Sequence, residues 1–121
     1  MSFDVSVIVL TYFPDRDKLL KTLKSVLLQR DISYEILIAD DGSDNFYQSD
    51  IEEIMKEYAF TDFKFVAHPE NQGTVINFYD AVKVASGEVI KPISPGDYLY
   101  GEDTLSKVYN FMKENKATGG E

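Results

Sequence analysis

The feature that most constrains this chain is a fourfold alternation of short apolar runs with segments whose apolar residues recur at helical spacing. The runs fall at residues 4–10, 34–39, 63–67 and 88–93. In the second, Ile36, Leu37 and Ile38 are continuous and rich in β-branched residues, the pattern of a strand covered on both faces. Between the runs, Leu19, Leu23, Val26 and Leu27 make one stripe of a helix opened by Asp15, with Lys18, Lys21 and Lys24 on its solvated side. Ile51, Ile54, Met55 and Tyr58 stripe a second helix over residues 50–58. Thr74 is the expected N-cap of a third, running to Ser86 with Val75, Phe78, Tyr79, Val82 and Ala85 inward and Gly87 as its stop. Leu105, Val108, Tyr109 and Met112 stripe a fourth over residues 102–115. Strands joined by crossovers of helical length predict an α/β fold, a mostly parallel sheet with helices on both faces.

A chain of 121 residues is long enough for one such domain, expected over residues 1–115, with 116–121 a small, polar, flexible tail. The formal net charge of −9 repels phosphate backbones and argues against a nucleic-acid partner. A phosphate-ester ligand would need positive charge brought in locally, for which a divalent cation is the natural source. With no cysteine there are no disulfides and no thiolate metal sites. No apolar run spans a bilayer and no signal-peptide pattern follows Met1, so a cytoplasmic protein is expected, free or peripheral to the inner face of the membrane.

Parallel strands bring four loops to one edge of the sheet: residues 11–14, 40–43, 68–73 and 94–98. Ligands of open α/β sheets bind there, outside the carboxyl ends of the strands. Asp40 and Asp41 stand where the second run stops, with Gly42 and Ser43 supplying turn chemistry. The pair reads either as turn and cap residues or as recognition groups. A carboxylate accepts strongly from an imide N–H, such as uracil, thymine or guanine presents. Asp97 has the same two readings, a cap in the Ser94-Pro95-Gly96-Asp97 turn or a ligand of Mn²⁺ or Mg²⁺. His68 lies beside Pro69 with no nucleophile signature nearby and reads as a surface or turn residue.

Val7-Ile8-Val9-Leu10-Thr11-Tyr12, Ile38-Ala39-Asp40-Asp41-Gly42-Ser43-Asp44, Glu70-Asn71-Gln72-Gly73 and Gly87-Glu88-Val89-Ile90, followed by a carboxylate turn, resemble the amino-terminal half of inverting family 2 glycosyltransferases of the GT-A fold. The resemblance runs from about Asp4 to Leu105. It implies a Rossmann-like domain that binds a nucleotide-diphosphate-sugar donor for transfer to a saccharide or other acceptor, in polysaccharide or glycoconjugate synthesis. It places Thr11 and Tyr12 in the nucleoside pocket, Asp41 on the base, Asp40 at the turn or ribose, and Asn71 and Gly73 in the donor site. Three departures accompany it. The family's Asp-x-Asp metal motif falls on Ser94 and Gly96, leaving Asp97 as the acid; either Asp97 with the Ser94 hydroxyl holds the Mn²⁺ or Mg²⁺, or the donor binds with weakened metal dependence. An Arg-Asn pair frequent in the family is Phe78 and Tyr79 here. The family's catalytic base and acceptor site belong to a carboxyl-terminal half beyond Glu121, so no residue here is assigned to the catalytic step.

Two other classes remain open from the sequence: a nucleotide-binding or assembly module without chemistry, and a phosphoacceptor receiver domain. A receiver carries its acidic pair after the first strand and an acceptor Asp after the third. Here those strands lead into Thr11-Tyr12 and His68-Pro69.

Overall fold

The computed structural model describes residues 2–115; the expected tail at 116–121 lies outside them. Its elements are β1 (Phe3–Thr11), α1 (Arg16–Leu27), β2 (Tyr34–Asp41), α2 (Gln48–Glu57), β3 (Phe63–His68), α3 (Thr74–Val84), β4 (Gly87–Ile93) and α4 (Thr104–Glu114). All strand pairs are parallel and the sheet order is β3-β2-β1-β4. The two central strands, β1 and β2, are the ones with the most continuous apolar runs, because both their faces are covered. Pro92, which has no N–H to give, sits in β4, an edge strand where the omission is tolerated.

The core has two layers. Val5, Val7, Val9, Ile36 and Ile38 meet Leu19, Leu23 and Val26 of α1, Ile51 and Met55 of α2, and Leu105 of α4. On the opposite face, Ile8, Leu37 and Ala39 meet Ala81, with Phe78, Val82 and Ala85 packed around them. Right-handed crossovers that advance in opposite directions lay their helices on opposite faces. The steps β1 to β2 and β2 to β3 advance one way, and β3 to β4 returns across the sheet, so among the described residues α3 stands alone on its face. Lys18, Lys21 and Lys24 are exposed, as expected of a solvated helix side.

The expected faces of α3 and α4 need correction. Val75 and Tyr79 are 80% and 60% exposed, and the fully buried residues of α3 are Asn77 and Ala81. Small side chains let this helix lie close to Ala39 and Leu37, and a stripe chosen by hydrophobicity passes over them. Gly73, not Thr74, is the N-cap; the helix ends at Val84, and Gly87 opens β4 in place of stopping α3. In α4, Leu105 is buried but Met112 is 44% exposed. No helix among the described residues is long and apolar enough to cross a membrane.

Candidate functional site

A cavity of about 330 Å³ opens at the carboxyl edge of the sheet, lined by Leu10, Thr11, Tyr12, Asp41, Asn71, Gly73, Thr74, Asn77 and Ser94. It lies where β1 separates β2 from β4, the point at which successive connections leave in opposite directions. Open α/β sheets bind ligands at such a point. Of the residues singled out from sequence, Thr11, Tyr12, Asp41, Asn71, Gly73 and Ser94 line this cavity; Asp40 and Asp97 are not part of its wall.

The adjacent carboxylates have different tasks because neighbouring strand residues point to opposite faces. Asp40 shares the face of Ile36 and Ile38 and is 1% exposed. It accepts from the Thr11 hydroxyl at 2.7 Å, the Ser43 N–H at 2.8 Å and the Ser43 hydroxyl at 2.7 Å. The Ser43 oxygen in turn accepts from the Phe13 N–H at 2.6 Å, holding that residue at φ 48°. Asp40 therefore ties the exit of β1 to the turn after β2, and supports the turn as one of its two expected roles.

Asp41 shares the face of Leu37 and Ala39, toward α3. Its Oδ1 accepts from the Gln72 N–H at 2.7 Å, and its Oδ2 from Asn71 Nδ2 at 2.8 Å and the Gly73 N–H at 3.1 Å. Those bonds draw the β3–α3 loop across the end of β2. Gly42 makes room for it: its φ is +82°, and a Cβ there would stand 2.5 Å from Asn71 N and Glu70 C. A carboxylate offers about four lone-pair directions, so Asp41 keeps acceptor capacity on Oδ1 while it organises the loop. Cap and recognition are thus compatible roles for one side chain.

His68 ends β3. Its Nε2 lies 2.8 Å from Asp80 Oδ2 on α3 and its Nδ1 3.3 Å from the Asp40 carbonyl. It is outside the cavity wall and pins α3 to the sheet, a role more specific than the turn residue expected from sequence. Its pKa is raised above the ordinary 6.5, chiefly by the bond to Asp80 and against an opposing effect of burial, while Asp80 is lowered, chiefly by the bond to His68. A raised His contributes stability below its unfolded pKa and loses it as pH climbs through the folded value; a depressed Asp loses its contribution as pH falls. The stability difference between wild type and His68→Gln should therefore be greatest near roughly pH 5 and shrink by roughly pH 8. Chemical denaturation at both pH values checks this, and an unchanged difference contradicts it.

The β4 turn offers a divalent cation one carboxylate, that of Asp97. Asp97 N–H donates to the Ser94 carbonyl at 2.9 Å, and Asp97 Oδ2 accepts from the Ser94 N–H at 3.3 Å, so the carboxylate caps its own turn. Gly96, at φ +103°, supplies the turn and gives its N–H to Thr22 Oγ1 at 2.9 Å. Hard cations take several oxygen ligands. Among the described residues, no three His, Asp or Glu side chains gather to provide them.

Sequence reasoning missed Asn77. It is 2% exposed, lines the cavity, and donates from Nδ2 to the Ala39 carbonyl at 2.9 Å. The available signal was an amide at the head of the stripe continued by Phe78, Ala81, Val82 and Ala85, a polar group where packing alone would favour an apolar one.

No curated protein matches the chain. Among solved structures, S. aureus TarS residues 1–349 superposes with a TM-score of 0.77 at 25% identity, over 96% of this chain and 33% of TarS. The same protein in complex with UDP-GlcNAc gives 0.75 at 25% identity, over 96% of this chain and 32% of that one. The mannosyltransferase PcManGT of Pyrobaculum calidifontis, in complex with GDP-Man and Mn²⁺, gives 0.81 at 20% identity, over 93% and 33%, and shows likeness of fold. The chain thus spans about a third of the length of these structures. The description "Glycosyl transferase family 2" matches residues 6–120, nearly end to end, and the chain belongs to that family.

Proposed function

We propose that this chain is the donor-binding part of a glycosyltransferase and holds the nucleoside diphosphate of an activated sugar in the cavity at the end of β1, β2 and β4. The observation that carries the proposal is Asp41: a carboxylate on the cavity wall, fixed by three donors, with one acceptor direction left for a base N–H. Thr11 and Tyr12 wall the nucleoside, with Tyr12 56% exposed and its ring, packed edge-on against Phe13 at 4.8 Å between centroids, offered as a surface for a base. Asn71 and Gly73 close the opposite wall. Complexes of relatives with UDP-GlcNAc and GDP-Man support a nucleotide-sugar as ligand class. The acceptor in this reading is a saccharide, and no residue of this chain is assigned to it or to the base that deprotonates it.

A divalent cation would enter with the donor's diphosphate, because the single carboxylate of the β4 turn, Asp97, fills only part of a cation's oxygen shell and phosphate oxygens supply the rest. Calorimetry of the 121-residue chain with UDP and with GDP tests the proposal. Saturable binding of at least one is expected, and Mn²⁺ alone should give no saturable heat. Failure of both nucleotides to bind contradicts the donor-binding role; tight binding of Mn²⁺ to the nucleotide-free chain contradicts the part assigned to the cation. The β4 turn, with Ser94 and Gly96 at the positions of the family's acids, also favours a second reading, a nucleotide-binding module without transfer. It predicts the same calorimetry but no sugar transfer by the intact protein.

A further inference from the structure

We infer that Asn77 is a nucleoside-binding residue of this site, its Oδ1 accepting a hydrogen bond from an N–H or O–H of the bound nucleotide; the inference rests on the donor-binding role proposed above. The orientation of the amide follows from its surroundings. The Ala39 carbonyl can only accept, so the group 2.9 Å from it is the NH₂, and the oxygen is turned away. Among the described residues, Oδ1 is the buried side-chain polar atom with no hydrogen-bond partner. Folded proteins rarely leave such an atom unmet, and a missing ligand or water is the usual reason when they do.

The position argues for a ligand. Asn77 is anchored at both ends, its N–H donating to the Gly73 carbonyl at 3.0 Å and its NH₂ to β2, so the free oxygen is presented by a rigid support. It shares the cavity wall with Thr11, Asp41 and Ser94. An alanine or leucine would pack as well against the apolar layer formed by Ile8, Leu37 and Ala81. The chemistry selects the part of the ligand. Phosphate oxygens are acceptors and repel an amide oxygen, and Asp41 takes the imide N–H of the base, which leaves the ribose hydroxyls and, in guanine, the exocyclic amine as the groups able to donate.

Calorimetry of the whole chain with UDP and GDP identifies the tighter nucleotide, which is then compared with its 2′-deoxy and 3′-deoxy analogues and, for GDP, with inosine diphosphate, which lacks the exocyclic amine. Asn77→Ala should weaken the parent nucleotide about tenfold, the scale of one neutral hydrogen bond. The analogue lacking the donor that meets Asn77 should lose affinity on wild type and nothing further on the variant, which separates base from ribose. Because loss of the Ala39 bond can unsettle the variant, the wild-type chain supplies a second readout. The Asn77 side-chain ¹⁵N–¹H₂ signals should shift on saturation with the nucleotide and stay in place with inorganic pyrophosphate. Unchanged affinity of Asn77→Ala with equal analogue penalties, or amide signals indifferent to the nucleotide, overturns the inference and leaves the donor-binding role standing. Binding of neither nucleotide to wild type overturns both.

Discussion

Gly42→Ala is expected to destabilise the domain by at least roughly 2 kcal/mol and to abolish nucleotide binding. Two costs coincide at this residue. A side chain held at φ +82° lies in the left-handed region, disfavoured by about 1–2 kcal/mol for any residue with a Cβ. The added carbon would also stand 2.5 Å from backbone atoms of Glu70 and Asn71, which have no rotamer by which to escape. Relief requires the β3–α3 loop to move off the end of β2, and with it go Asn71 and Gly73 and their bonds to Asp41. Urea denaturation measures the first effect and calorimetry the second. A variant within about 0.5 kcal/mol of wild type, the range of an ordinary surface change, would show that the loop does not pack on Gly42.

Asp41→Ala should leave the fold intact at a cost of about 1–2 kcal/mol, since water entering the cavity can reach the donors it abandons. Nucleotide affinity should fall by roughly 1.5–3 kcal/mol, the range for a hydrogen bond to a charged group, which is about 10- to 150-fold. Asp41→Asn is no neutral substitute. Both carboxylate oxygens accept in the folded state, so an amide must turn its NH₂ toward either the Gln72 N–H or the Asn71 and Gly73 donors. Binding should weaken in the same direction. Calorimetry with unchanged affinity in both variants would remove Asp41 from the site.

The sheet and its connections were legible because buried strands and amphipathic helices leave different periods in a sequence. The same property hid the roles of Asp40 and Asp41. A strand buried on both faces is apolar at every position, so nothing in 36–39 tells which acid points toward α3. Only the layer assignment, with Ile36 and Ile38 on one side and Leu37 and Ala39 on the other, separates the turn-holding carboxylate from the one on the cavity wall. Asn77 was invisible for a related reason. Hydrophobicity ranked Val75 and Tyr79 above Asn77 and Ala81, whereas close approach of α3 to the sheet selects small and hydrogen-bonded residues. The family resemblance located the β4 turn as a metal motif, but the use of Asp97 as a cap depends on the turn's own geometry.

The most direct measurement is a titration of the isotope-labelled chain with UDP and with GDP, followed by backbone amide chemical shifts. Saturable shifts are expected at Thr11, Tyr12, Asp41, Asn71 and Gly73, around the cavity at the carboxyl edge of the sheet. Little change is expected at the opposite edge, where Glu35 Oε2 accepts from the Ser6 hydroxyl and the Ser86 N–H, both at 2.6 Å. Saturable shifts centred on Glu35 and Ser86, or none at any concentration of either nucleotide, would contradict a donor site built on Asp41.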